Sequence, residues 1–91
     1  MFARAIAVEY RDRGIRCNAV CPGFIDTPHG RRELQGLQAQ GVDASEQALA
    51  VQQGRLCQPD EVARAALFLA SDDASFVNGA QLFVDNGFTA A

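Results

Sequence analysis

Gly14-Ile15-Arg16-Cys17-Asn18-Ala19-Val20-Cys21-Pro22-Gly23-Phe24-Ile25-Asp26-Thr27-Pro28 is the stretch that orders everything around it. Ile15, Cys17, Ala19 and Cys21 alternate onto one face, and Val20 is the only strong apolar residue on the other. That period of two predicts a strand over 15–21. Gly14, just ahead, suits the left-handed residue that stops a helix. Pro22-Gly23 ends the strand, because Pro22 has no amide hydrogen to give a ladder.

Upstream, residues 2–13 (FARAIAVEYRDR) predict a helix with Phe2, Ile6 and Tyr10 on one side. Ala3, Ala5 and Ala7 make its first half apolar nearly all round, as in a helix sandwiched by neighbours. Glu9 and Arg13 are spaced for an i, i+4 ion pair. Downstream, 28–54 is rich in glutamine and carries Gly30, Gly36 and Gly41 before Gly54. It holds two weakly amphipathic stretches, about 30–40 and 46–53, and either Asp43 (through Asp43-x-x-Glu46) or Ser45 can cap the second. Such a composition is more mobile than a core and suits a lid.

Pro59 fits the first turn of a helix running to Ala70. Asp60 and Glu61 complement its N-terminal dipole, and Val62, Ala66 and Leu69 form its buried stripe. Gln81–Asp85 is a short apolar run of the kind covered on both faces. Asn78-Gly79 fits a helix-to-strand turn better than a hairpin, since Ser75-Phe76-Val77 is too short a partner strand. The order is helix, strand, helical insertion, helix, strand. So long a crossover makes the two strands parallel and the connection right-handed, giving an α/β layer.

Ninety-one residues make one small domain at most. All eight basic residues are arginine, against eleven acidic ones, for a net charge of −3. Without lysine there is no Schiff base on a lysine amine and no P-loop lysine. The single histidine, His29, excludes a two-histidine zinc site. An acidic balance argues against a nucleic-acid groove or a polybasic membrane patch. No apolar run approaches the ~20 residues that span a bilayer, and Arg4 stands where a secretory core would begin. Cys17, Cys21 and Cys57 match neither a disulfide framework nor a zinc ribbon, so reduced thiols in a cytoplasmic protein are expected.

Catalytic constellations are scarce. The serines lie in Ala-Ser-Glu, Ala-Ser-Asp and Ala-Ser-Phe settings, none of them a nucleophile elbow. Nothing near His29 in sequence orients it as a base, so it reads as a loop residue. Cys21 reads as a small buried residue at a strand end. No two glycines are spaced i, i+2, so the phosphate loop G-x-G-x-x-G is absent. Arg31-Arg32 reads as a solvated helix face, with recognition of an acidic substrate as the alternative.

The opening stretch resembles the sixth-strand region of the short-chain dehydrogenase/reductase family, which usually reads Gly-Ile-Arg-Val-Asn-x-Val-x-Pro-Gly-x-Ile-x-Thr. Further blocks are similar in order and spacing. Arg4-Ala5-Ile6-Ala7-Val8-Glu9 resembles the family's preceding helix. Gly54-Arg55-Leu56, Pro59-x-Glu61-Val62-Ala63, Phe68-Leu69-Ala70-Ser71-Asp72 and Val84-Asp85-x-Gly87 resemble its last helix and strand. The likeness covers nearly the whole chain, least well 28–53.

That resemblance implies the C-terminal portion of a Rossmann-like doubly wound parallel sheet over 1–91, with 28–54 as the substrate lid. It implies an NAD or NADP cofactor and hydride transfer between a carbonyl and a secondary alcohol. Pro22 and Gly23 would pack beside the nicotinamide, and the Ile25 backbone and Thr27 hydroxyl would bond its carboxamide or the nearby phosphate. Ligands of open parallel sheets do sit beyond the strands' carboxyl ends, where this segment lies. Partners implied are a small carbonyl or alcohol substrate and a second copy of the chain, docked through 59–70 and 81–85.

The departures matter as much. The family's glycine-rich loop, its catalytic serine and its Tyr-x-x-x-Lys pair have no counterpart here: Tyr10-x-x-x-Gly14 lacks the lysine, which falls a few residues before Met1. No catalytic residue and no metal ligand is therefore assigned, and the chain alone is expected to be inactive. A non-catalytic association module and a truncated gene product are the alternatives. Asn86 replaces a common second glycine, and asparagine tolerates the left-handed conformation that the turn needs.

Overall fold

The computed structural model describes residues 2–90. Helix α1 (Phe2–Tyr10) tightens into a 3₁₀ turn at Arg11–Arg13, which Gly14 closes at φ 72° by donating its N–H to Arg11 O. The stop is the expected one. Tightening takes Arg13 out of i, i+4 register with Glu9, and its guanidinium lies over the Tyr10 ring instead, 5.8 Å from the centroid. The packed side is the expected one in part: Phe2 is 80% exposed and Val8 63%, but Ile6 and Tyr10 are half-buried beside a buried Ala7. A small residue is needed there, because Ala7 lies against Gly79, where an added β-carbon would come within 3.3 Å.

Strand β1 is Ala19–Pro22, later and shorter than the alternation over 15–21 predicts. Residues 15–18 are held mainly by side chains, with one backbone bond from Gly79 N to Cys17 O at 2.8 Å. Arg16 Nη1 donates to Leu69 O at 2.8 Å and Val77 O at 3.2 Å, and Nη2 to Ser71 O at 3.3 Å. The Asn78 side chain accepts from Cys17 N, and Asn18 bridges Val77 O and Ala80 N, each at 2.9 Å. The strand ends at Pro22-Gly23 as expected, with Pro22 as its last residue, but the missing amide hydrogen is not what stops the ladder. Gly23 N donates to Val84 O at 3.1 Å, and successive residues face opposite edges. The Pro22 nitrogen therefore points to the edge that has no partner strand among the described residues.

Strand β2 (Gln81–Val84) pairs with β1 in parallel, Ala19 opposite Gln81 through Pro22 opposite Val84. Parallel pairing and the helix-to-strand turn at Asn78-Gly79 are as expected. Covering on both faces is not: Leu82 and Val84 are half-buried, while Gln81 is exposed and Phe83 51% exposed. Helix α4 (Pro59–Ala70) contacts both strands. It buries Leu69 and half-buries Val62, but Ala66 faces solvent and Leu67 is 70% exposed.

The segment between β1 and α4 forms α2 (Pro28–Ala39) and α3 (Glu46–Gln52). Ser45, not Asp43, caps α3: its hydroxyl accepts from Ala48 N, and Asp43 accepts from Ser45 N to shape the turn before it. This glutamine-rich segment, the expected lid, has its own core, which its composition conceals. Leu34, Ala44 and Leu49 are buried together, with Phe24, Leu37 and Leu56 packed against them.

The whole is elongated, 48 × 26 × 23 Å. Its radius of gyration, 15.8 Å, exceeds the roughly 12 Å of a compact domain this long. Among the described residues no helix is long and apolar enough to cross a membrane.

Candidate functional site

Pro22, Gly23, Ile25 and Thr27 follow one another off the carboxyl end of β1, where the chain leaves the sheet for the lid. Ile25 forms a parallel bridge with Cys57, so the lid's two stems run side by side. The bridge is made by its neighbours: Cys57 N donates to Phe24 O at 2.9 Å and Asp26 N to Cys57 O at 2.7 Å. Ile25's own N–H thus faces away from Cys57 and has no acceptor among the described residues. Its carbonyl is committed to the turn, accepting from Thr27 N at 2.9 Å.

Thr27 is the N-cap of α2. Its Oγ1 accepts from Gly30 N at 2.9 Å, and Pro28 occupies the first turn. A hydroxyl that accepts keeps its hydrogen to donate. Two donors, the Ile25 amide and the Thr27 hydroxyl, are therefore free beside a helix N-terminus. That is chemistry suited to a carboxamide oxygen and a phosphate oxygen, and so these residues fit a nicotinamide dinucleotide. Gly30 is part of this construction: a β-carbon there would lie 2.1 Å from Ile25 O. A glycine inside a helical pattern is the signal that marks such an approach in sequence.

Gly23 has a different reason from the one its place in the turn suggests. A β-carbon on it would lie 2.2 Å from Gln53 Oε1 and 3.0 Å from Asp85 Cβ. The space beside Gly23 is thus taken by Gln53, the most buried large side chain at 1% exposure. Its carboxamide accepts from Phe24 N and donates to Phe24 O, both at 2.9 Å, and donates to Arg55 O at 2.8 Å. Among the many glutamines of the lid, nothing local distinguishes this one.

The turn after β2 closes the same region. Asn86 adopts φ 49°, the left-handed conformation expected of it, and its amide donates to Gln53 O at 2.9 Å. Asp85 is buried, accepting from Gly87 N, Thr89 N and Thr89 Oγ1. The Thr89 hydroxyl foremost, then the backbone amides, hold its carboxyl below the usual range against the opposing effect of burial. Phe88 then packs edge-on against Phe24, centroids 5.9 Å apart.

Other candidates fall into supporting roles. Arg31 Nε pairs with Asp26 at 2.7 Å across the start of the lid, and His29 lies 2.9 Å from Glu33 on an exposed face. Burial pushes the Cys57 thiol up, away from the thiolate that a nucleophile needs.

A family model described as enoyl-(acyl carrier protein) reductase matches residues 1–89. Cis-4-hydroxycyclohexanecarboxylate dehydrogenase of Sinomonas cyclohexanicum is 51% identical over 89 residues, 96% of this chain and 32% of that protein. The crystal structure of levodione reductase superposes with a TM-score of 0.87 at 38% identity, over 99% of this chain and 36% of that one. Gluconate 5-dehydrogenase of Burkholderia cenocepacia, solved with NADP and tartrate, gives 0.82 at 35% identity, over 100% of this chain and 34% of that one. The chain spans about a third of the length of these relatives. With motif order, parallel layer and turn geometry in agreement, it belongs to the short-chain dehydrogenase/reductase family, of whose α/β fold it covers a part.

Proposed function

We propose that this chain is the C-terminal part of an NAD(P)-dependent oxidoreductase that interconverts a carbonyl and a secondary alcohol. It contributes half of the nicotinamide cradle and the substrate lid. The observation that carries this is the pair of free donors, Ile25 N–H and Thr27 Oγ–H, beyond the carboxyl end of β1. When bound, the cofactor supplies the hydride. The chain's own residues orient it: Ile25 and Thr27 hold the carboxamide and phosphate side, and the lid closes over the substrate. The cytoplasm is the proposed compartment, given three unpaired cysteines.

Among these residues no acid, lysine partner or phosphate loop is positioned for the chemistry, so residues 1–91 alone are inactive on this reading. A chimera tests both parts. Residues 1–91 replace the matching third of levodione reductase, and the chimera and the chain alone are assayed with NADH and NADPH against a carbonyl panel. Turnover by the chimera only is expected. A folded chimera that binds neither cofactor would overturn the cradle, and turnover by the chain alone would overturn its dependence on the rest.

The partner proposed is a second copy, meeting this one through 59–70 and 81–85, where Leu67, Phe68 and Phe83 are exposed. The edge of β1 without a partner strand among the described residues favours a second reading, a non-catalytic module that docks on a related enzyme's sheet. Co-purification with such an enzyme, against self-association alone, separates the two.

A further inference from the structure

Gln53 stands at a junction of three segments far apart in sequence. Its backbone ends α3, with its N–H on Leu49 O at 2.7 Å and its C=O accepting from Asn86, thirty-three residues on. Its side chain reaches back twenty-nine residues to Phe24. There the carboxamide offers Phe24 an acceptor and a donor together, as the backbone of a neighbouring strand would. The third bond, to Arg55 O, ties down the lid's exit. At 1% exposure no water competes for these groups, so each bond lost leaves a buried polar atom unpaired.

The peptide units that Gln53 fixes adjoin those that matter for the cofactor. Phe24 lies between Gly23 and Ile25, and Gly23 must lack a β-carbon for Gln53 Oε1 to arrive. Whatever sets the Phe24 peptide planes sets the direction of the Ile25 N–H. We propose that Gln53 is a positioning residue that couples the lid to the cofactor cradle, making the order of α2–α3 and the occupancy of the cradle one equilibrium. It touches neither cofactor nor substrate. The coupling rests on the cradle proposed above and is reciprocal: a cofactor that orders Phe24–Ile25 orders the lid, and an ordered lid tightens the cofactor.

The test uses two variants, in the full chain for exchange and cleavage without cofactor and in the levodione reductase chimera, which supplies the phosphate loop, for every measurement with NADPH. Gln53→Met keeps the volume and removes all three side-chain bonds. Gln53→Glu can keep an acceptor and one donor only while its carboxyl is protonated. Three quantities are read: amide exchange at Phe24 and Asp26 by NMR, limited proteolysis across 40–53, and NADPH binding by fluorescence titration. For Gln53→Met we expect Phe24 exchange and lid cleavage to rise together, and NADPH affinity to fall about tenfold. NADPH at saturation should protect the wild-type lid and not that of this variant. Gln53→Glu, one donor short of glutamine, should lie between wild type and Gln53→Met in mild acid and move away from wild type once its carboxyl ionises. Arg55, Cys57, Glu61 and Asp85 line the same cavity in every variant, so a pH effect confined to Gln53→Glu belongs to the new group.

Phe24 exchange and lid cleavage unchanged in Gln53→Met would overturn the proposal, as would a Gln53→Glu lid indifferent to pH. Should Gln53→Met fail to fold, the pH series of Gln53→Glu decides alone. If the wild-type chimera folds and binds no NADPH, the cradle reading fails, and the link between Phe24 and the lid is judged from exchange and cleavage without cofactor.

Discussion

Arg55 and Glu61 meet through two parallel hydrogen bonds, Nη1 to Oε1 at 2.7 Å and Nη2 to Oε2 at 2.9 Å. The same carboxylate accepts from Gln58 N at 2.9 Å, capping the free first turn of α4 while Arg55 steadies the lid's exit. One side chain thus joins the lid stem to the helix that backs the sheet.

Those contacts, the Arg55 bonds first and the Gln58 amide next, lower the Glu61 carboxyl from 4.5 to about 2. A carboxyl whose folded pKa is depressed stabilises above its unfolded value and loses that contribution as acid protonates it. The Glu61 contribution is therefore full above about 4.5 and fades toward about 2. Glu61→Gln is expected to lower the melting temperature near neutral pH, with the gap to wild type closing through that window. Circular-dichroism melts across the acid range check it; a gap independent of pH would count against the ion pair.

Gly23→Ala is expected to destabilise by about 1–3 kcal/mol, because the new methyl occupies the place of Gln53 Oε1. The two positions share one space, so combining it with Gln53→Ala should cost less than the sum of the single changes. A double-mutant cycle by urea denaturation measures this, and strict additivity would show that the two do not compete.

Thr27 carries two roles that separate by substitution. Thr27→Val removes the cap on Gly30 N, at about 1 kcal/mol, together with the free hydroxyl. Thr27→Ser keeps both. We expect stability and NADPH affinity in the chimera to fall for valine and to survive for serine, measured by thermal melts and fluorescence titration. Equal affinity in both variants would remove the hydroxyl from the cradle.

Phe83 and Leu67 bear on association. Each leaves much of its surface in water, so Phe83→Ser and Leu67→Lys should leave the monomer's helical signal intact. If copies meet on this face, sedimentation will show a shift toward monomer in both variants. An unchanged distribution would place the contact elsewhere.

What the sequence makes legible is what neighbours in sequence decide. Helix α4 is found at its observed ends because Pro59, the acidic first turn and the apolar spacing all lie within twelve residues. Gly14 and Asn86 are likewise legible, since the sign of a backbone angle is a property of one residue. Strand β1 is misplaced because residues 15–18 answer to partners more than fifty residues away, in α4 and the turn before β2. The candidate site divides the same way. Thr27 before Pro28 is a local cap signal that a helical stretch read as 30–40 passes over, whereas the occupant of the space beside Gly23 is set by the fold.

The proline on β1 has a consequence for how the sheet can grow. Of the residues whose backbone faces the open edge, Val20 offers both a donor and an acceptor, and Pro22 offers only a carbonyl. A strand pairing past Val20 brings one of its carbonyls opposite a ring carbon, whatever its register. The usable edge is therefore short, which discourages the indiscriminate stacking that bare edges invite.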